Sequence, residues 1–154
     1  MSGLHPKLIV VPVDFSEMAF DALDQAVQIA GDEGDVRVIH VLATLPTMEP
    51  GNLYGTVTDE TRMESVQKSL SDRFAKKKYD RVKSSVSIGD PGREIVAFAD
   101  NESADLIVIP SHGYGFFRHM LLGSVAERVV RLATCPVLVL RSAPVDGDSK
   151  PSAK

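Results

Sequence analysis

Apolar residues along this chain come in short, nearly unbroken runs separated by longer stretches in which they recur every three or four positions. LIVVPV at 8–13, LIVI at 106–109 and VLVL at 137–140 are rich in β-branched residues, the pattern of strands covered on both faces. VRVIHVL at 36–42 is a fourth such run. RVKSSVSIG at 81–89 differs, because Val82, Val86 and Ile88 share one parity and polar residues hold the other. One of its faces is wetter, which predicts an edge strand.

The intervening segments predict helices with definite starts. Ser16 is a natural N-cap, and Ala19, Ala22, Leu23, Ala26, Val27 and Ala30 follow the helical stripe until Gly31 offers a stop. Met63, Val66, Leu70 and Phe74 place a second helix over about 59–77, with Lys76, Lys77 and Lys78 as a solvated end near its negative dipole. Asp90 followed by Pro91 is an N-cap with proline at the first helical position, and Ile95, Phe98 and Ala99 supply the buried stripe. Ser124 and Glu127 have the spacing of a capping box, so the last helix is expected to start just after Gly123 with Ser124 as its cap.

The order β-α-β-α-β-α-β-α-β, with crossovers long enough to keep strands parallel, predicts an α/β fold: one doubly wound five-stranded parallel sheet with helices on both faces. Residues 1–141 read as this single domain, and the polar tail at 142–154 has no apolar period and reads as disordered. Within the domain, the 43–57 connection carries two prolines, two glycines and no period, the composition of a binding loop or of an insertion.

Composition narrows the function. At 154 residues the chain is long enough to bury a core without staples. A net charge of −4 argues against general affinity for nucleic acid or an anionic membrane. The lone cysteine, Cys135, excludes an internal disulfide and suits a reducing compartment; before Pro136, it is expected to be buried and inert. No run approaches the length of a membrane span and the first residues lack a signal-peptide core, so a cytoplasmic protein is expected.

In an open α/β sheet, ligands sit at the carboxyl ends of the strands where strand order reverses. The loops after the first and fourth strands are the candidates. The first brings Asp14, and the other is the stretch IPSHGYGFFRHMLLGS at 109–124, which leads into a helix N-terminus able to hold an anion on backbone amides. Neither G-x-x-x-x-G-K-[ST], G-x-S-x-G nor H-E-x-x-H occurs, and no nucleophile has an obvious base partner. His112 and His119 lack the spacing and neighbours of metal ligands. Binding with slow or negligible turnover is the expectation, with no catalytic residue.

PVDFSE at 12–17, IHV at 39–41, GDPGREI at 89–95 and SHGYGFFRHMLLGSVAERVVRLATCPVLVLR at 111–141 together resemble the universal stress protein family, over residues 7–141. The resemblance implies strand order 3-2-1-4-5 and a homodimer, often paired through the last strand. In one branch it implies ATP binding through a loop written G-x2-G-x9-G-[ST]; another branch lacks that loop and shows no nucleotide.

Carried over, Gly113 and Gly123 match the second and third glycines and Ser124 the hydroxyl. Asp14 matches the residue that takes the ribose hydroxyls, Pro12 lines the adenine end, and Val41 matches the position whose backbone reads the adenine edge. Pro110 stands where the first glycine would be and removes one N–H. The amides of His112 through Tyr114 and of Ser124 and Val125 remain, so the implied site is weakened at one contact rather than abolished. Each residue also has a plainer reading: Asp14 as a cap for the first helix, Gly113 and Gly115 as turn residues, Ser124 as a cap. Arg118 is a solvent-facing loop residue or a phosphate contact, and Phe116, Phe117, Met120 and Leu121 pack the loop or face a partner.

These readings combine into a stress-response protein that binds an adenine nucleotide, ATP or AMP with Mg2+, as a signalling switch. Two alternatives stand beside it: a homodimeric interaction module whose site Pro110 has closed, and a slow ATP hydrolase. Dimerisation is also motivated by the apolar CPVLVL run at 135–140, which would otherwise leave an exposed sheet edge.

Overall fold

Two apolar cores lie on opposite faces of one sheet, because successive strand residues point to opposite sides. In the computed structural model, which describes residues 5–46, 57–113 and 121–141, Ile9, Val11, Val36, Val38, Leu106 and Val108 enter one core. Val10, Ile39, Ile107 and Ile109 enter the other. The unbroken apolar runs of the sequence follow directly: a strand that feeds two cores has no wet parity.

The strands are β1 (Leu8–Pro12), β2 (Asp35–Leu42), β3 (Val82–Ile88), β4 (Leu106–Pro110) and β5 (Val137–Leu140). All pairs are parallel, in the order β3-β2-β1-β4-β5. Helices α1 (Glu17–Ala30), α2 (Asp59–Arg73), α3 (Pro91–Asn101) and α4 (Ser124–Leu132) connect them. Ala19, Ala22, Leu23 and Ala26 of α1 and Leu70 of α2 cover the first face. Ile95, Val96 and Ala99 of α3 and Ala126 and Val129 of α4 cover the second. The expected doubly wound architecture is the one observed, with β3 at an edge.

Local signals held where the partner was close in sequence. The Ser16 hydroxyl accepts the Ala19 amide at 3.2 Å, and α1 stops at Gly31, whose φ of 60° favours glycine. The Asp90 carboxylate accepts the Arg93 amide at 3.1 Å, with Pro91 opening α3.

Three local expectations need correction. Ser124 does not cap α4: the cap is Gly123, with no side-chain cap bond, because Gly123 donates its amide to the Ser111 carbonyl at 2.6 Å and its own carbonyl accepts the Glu127 amide at 2.9 Å. Ser124 is the first helical residue instead, and Glu127 pairs with Arg131. A capping box forms elsewhere, between Thr58 and Thr61 at the start of α2. That helix ends at Arg73, short of the lysines, and Lys77–Tyr79 is a turn of 3-10 helix. Tyr79 is only 6% exposed, stacks edge-on against Phe74 and donates to Asp24 at 2.6 Å; Lys78 pairs with the same carboxylate. The lysine cluster is therefore tied to α1 at Lys78 rather than wholly solvated. Cys135 is half-buried, and burial pushes its thiol pKa up, away from the reactive thiolate.

Most of the 43–57 connection lies outside the described residues, as do the 142–154 tail and the 114–120 segment with Gly115, Phe116, Phe117, Arg118, His119 and Met120. Among the described residues no helix is long and apolar enough to cross a membrane.

Candidate functional site

The sheet splits at the carboxyl ends of its two central strands. β1 and β2 stay paired through Pro12 and Ile39, and Val13 adds one more ladder bond, its amide to the Ile39 carbonyl at 2.9 Å. β1 and β4 are registered only at Ile9 with Leu106 and Val10 with Ile107. β4 and β5 continue to Pro110 and Leu140. Beyond Ile107 the two central strands part, as they must where the chain winds away on both sides of the sheet.

Pro110 sits at the lip of this split. Peptide groups of a parallel strand face its two neighbours alternately, and the next residue, Ser111, donates its amide to Leu140 at 2.8 Å. The amide that proline lacks would thus face the gap β1 has left, where no strand could accept it. Proline here removes no ladder bond.

On the β1 side the chain turns through Phe15, a non-glycine residue at a φ of 65°, a conformation that side chains other than glycine rarely adopt. Its ring packs edge-on against His40 at 5.0 Å and Phe20 at 6.3 Å. The turn folds Asp14 back over the start of α1, where Oδ1 accepts the Ser16 amide at 3.0 Å and the Ser16 hydroxyl at 2.5 Å. Asp14 therefore does not itself cap α1, contrary to one of its two sequence readings: Ser16 is the cap, and Asp14 braces it. Its other oxygen, Oδ2, lies against Gly113, where any Cβ would overlap it.

Gly123 is also pinned by proximity: a Cβ there would stand 3.2 Å from the Ser111 carbonyl and 3.5 Å from the His112 Cα. The bond from its amide to the Ser111 carbonyl holds the start of α4 beside the residues that follow β4. Among the described residues the positive-φ glycines are Gly31 and Gly89. Gly113 is thus required by close approach rather than by turn conformation, and Gly123 is tightly flanked.

One cavity of about 410 Å³ collects all of the sequence-derived candidates: Pro12, Asp14, Val41, Pro110, His112, Gly113, Gly123, Ser124 and Val125 line it together. Its wall also includes Ile39, Ile95 and Ile109, all buried apolar residues. Val41 offers its backbone. Leu42 accepts the Gly89 amide on the β3 side at 2.9 Å, so by alternation the peptide groups of Val41 face the gap beyond the end of β1. At the opposite end, the first bond into α4 is the one Glu127 makes to Gly123. The amides of Ser124, Val125 and Ala126 precede it and present the positive end of the helix dipole to the cavity rim.

Two polar lining residues, Ser111 and His40, were not singled out from sequence. Ser111 is 2% exposed, with its hydroxyl 3.0 Å from His112 Nδ1, and it anchors the loop through amide and carbonyl alike. His40 bonds Val13 through Nδ1 at 2.6 Å. Among the described residues the lining side chains with ionisable groups are Asp14, His40 and His112, with no lysine or arginine. Among the described residues no three His, Cys, Asp or Glu side chains converge as a metal-binding group.

A second cleft, of about 530 Å³, adjoins the first and shares Pro91, Ser124 and Val125 with it. Arg93, Arg128 and Arg131 line it. Arg128 pairs with Asp90 at 3.0 Å and Arg131 with Glu127 at 2.6 Å, so most of that charge is locally balanced.

Comparison with known proteins gives one consistent result. The model of the universal stress protein family matches residues 6–141. Universal stress protein MJ0531 of Methanocaldococcus jannaschii is 34% identical over 139 residues, covering 88% of this chain and 82% of its own. The solved structure of MJ0577, from the same organism, superposes with a TM-score of 0.69 at 32% identity, covering 90% of this chain and 98% of its own. A universal stress protein solved in complex with cAMP superposes with a TM-score of 0.64 at 26% identity, covering 90% of this chain and 99% of its own.

Proposed function

The chain belongs to the universal stress protein family, and from that premise we propose that it binds an adenine nucleotide, ATP or AMP, in the cavity at the carboxyl ends of β1 and β4. The observation that carries the reading is convergence: nine residues chosen from three separate stretches of sequence line one cavity of about 410 Å³. The cAMP complex of a relative supports a nucleotide as the ligand class.

In this reading the base lies along the apolar wall of Ile39, Ile95 and Ile109, its edge against the Val41 backbone and its end against Pro12. Asp14 takes the ribose hydroxyls, beside Gly113. The phosphates lie over the amides of His112, Gly113, Ser124 and Val125, where backbone dipoles supply the positive potential that basic side chains do not. Mg2+ would be held chiefly by those phosphates and water, as is usual for this ion.

Such a site binds without turning over. Phosphoryl transfer to water needs a placed nucleophile and charge neutralisation at the terminal phosphates, and the described lining supplies amides rather than a lysine or arginine for that task. The protein then acts as a switch whose state follows nucleotide occupancy in a stress response.

Calorimetry with ATP or AMP and Mg2+, at about 100 μM protein, tests the reading within the range where micromolar affinity is measurable. Saturable heat that Asp14→Ala and Gly113→Val each abolish supports it. No heat from the wild type, or affinity unchanged in both variants, overturns it. Binding that appears only in Pro110→Gly would identify an interaction module with a closed site. Phosphate release lost in Ser124→Ala with binding retained would identify a slow ATP hydrolase.

A homodimer through β5 is the second part of the proposal. Among the described residues β5 has β4 on one side and no strand on the other, and Leu138 on it is 36% exposed. An unpaired edge flanked by apolar side chains is a template for pairing with a second copy.

A further inference from the structure

We propose that His40 is a positioning residue for the base-and-ribose end of the cavity: by taking the Val13 carbonyl it fixes the peptide that carries Asp14 and keeps the Val41 amide open. The Val13 amide bonds the Ile39 carbonyl at 2.9 Å. In a regular parallel ladder the next bond would run from the Val41 amide back to the Val13 carbonyl. That bond is not made. The Val13 carbonyl is instead 2.6 Å from Nδ1 of His40, the residue between Ile39 and Val41.

A carbonyl only accepts, so Nδ1 carries the hydrogen and the side chain replaces the main chain as donor. Two consequences follow. Val13 is held at both its amide and its carbonyl by consecutive residues of β2, which fixes the peptide leading into Asp14. The Val41 amide faces the cavity without the acceptor that the ladder would have given it, and can donate to a ring nitrogen of a base. The imidazole itself is fixed by its edge contact with Phe15 at 5.0 Å, the residue whose left-handed backbone turns Asp14 into place.

The ligand arm of this inference rests on the nucleotide reading above; its backbone arm does not. His40→Phe keeps an aromatic ring against Phe15 and deletes the donor, whereas His40→Asn keeps a donor near the position of Nδ1. Amide hydrogen exchange, followed by NMR on the full chain, reads Val41 directly. In the wild type the Val41 amide exchanges faster than the ladder-bonded His40 amide. In His40→Phe it moves onto Val13 and slows by about tenfold or more, and in His40→Asn it stays at the wild-type rate. ATP affinity falls about tenfold or more in His40→Phe and less than about threefold in His40→Asn. In an Asp14→Ala background, His40→Phe costs less than about a further twofold, because the two residues act as a unit.

A Val41 amide already protected in the wild type overturns the proposal. So does His40→Phe that leaves both Val41 exchange and ATP affinity unchanged, or equal impairment of the two folded variants. If the wild type binds neither ATP nor AMP, the nucleotide reading fails, and the exchange comparison still decides the role of His40.

Discussion

Gly113 lies so close to Asp14 that a single added carbon would overlap the carboxylate oxygen Oδ2. The other oxygen of Asp14 is fixed by the amide and hydroxyl of Ser16, so the carboxylate cannot swing aside without breaking the start of α1. The loop after β4 and the loop after β1 are therefore locked together at the mouth of the cavity, and Gly113 is the residue that permits it.

Gly113→Ala tests that lock. The methyl group displaces Asp14, and the expected loss in ATP affinity is about tenfold or more. Asp14→Ala is expected to lose a similar factor, and the double variant no more than the worse single one, because the two changes remove one feature. Calorimetry on the three proteins measures this. Losses that multiply would show that Gly113 acts by another route.

Pro110→Gly has a different expected profile. The missing amide of Pro110 faces the gap between β1 and β4, so restoring it adds no ladder bond. The variant should lose about 1–2 kcal/mol, from the freedom that both losing a proline and gaining a glycine give the unfolded chain, and should bind ATP at least as tightly as the wild type. Urea unfolding and calorimetry check the two halves. A loss well above that range would mean that the proline ring itself packs the site.

Much of this arrangement is legible in the sequence because it is local or periodic. β1 and β4 feed two cores, so both parities are apolar, and Ser16 and Asp90 cap helices within three residues of themselves. The site residues lie at strand ends that the winding of the chain brings together. What sequence does not disclose depends on distant partners. Gly123 displaces Ser124 as the α4 cap through a bond to Ser111, and Tyr79 is buried by Phe74 and Asp24. His40 reaches a carbonyl 27 residues away. A histidine within an apolar run carries no mark of which backbone group it will find.

Leu138→Lys tests the edge of the sheet. Leu138 is 36% exposed on β5, and two lysines brought together across a paired edge would repel and strip apolar contact. Sedimentation at micromolar concentration should show a dimer for the wild type and a monomer for the variant, with thermal unfolding of the monomer still cooperative. A wild-type monomer removes the proposed interface.

Asp90 predicts an acid-sensitive α3. Its carboxyl is held below the ordinary 3.8, first by the Arg93 amide and then by the Arg128 guanidinium. A depressed folded value means that the stabilisation is complete above 3.8 and is lost as the pH falls through the lower, folded value. Asp90→Ala should therefore melt below the wild type at pH 6, and the gap should narrow below pH 3. Melting curves across that range decide it; a gap independent of pH would assign the effect to packing alone.

The Tyr79 phenol gives the opposite sign. Burial first, and then its bond to Asp24, raises its pKa above the ordinary 10.0. A raised folded value means that the stabilisation is present below 10.0 and disappears as the pH climbs through the higher, folded value. Tyr79→Phe keeps the ring against Phe74 and removes one 2.6 Å bond to a carboxylate that is 40% exposed, so solvent competes for it and the expected loss at pH 7 is about 1 kcal/mol. That loss should shrink once the wild-type phenol ionises, since a phenolate beside Asp24 repels rather than donates. Denaturant unfolding of both proteins at pH 7 and above pH 10 measures the difference. Because Asp24 lies on α1 and Tyr79 follows α2, a difference that stays constant across this range would mean that ring packing, not the hydrogen bond, joins the two helices.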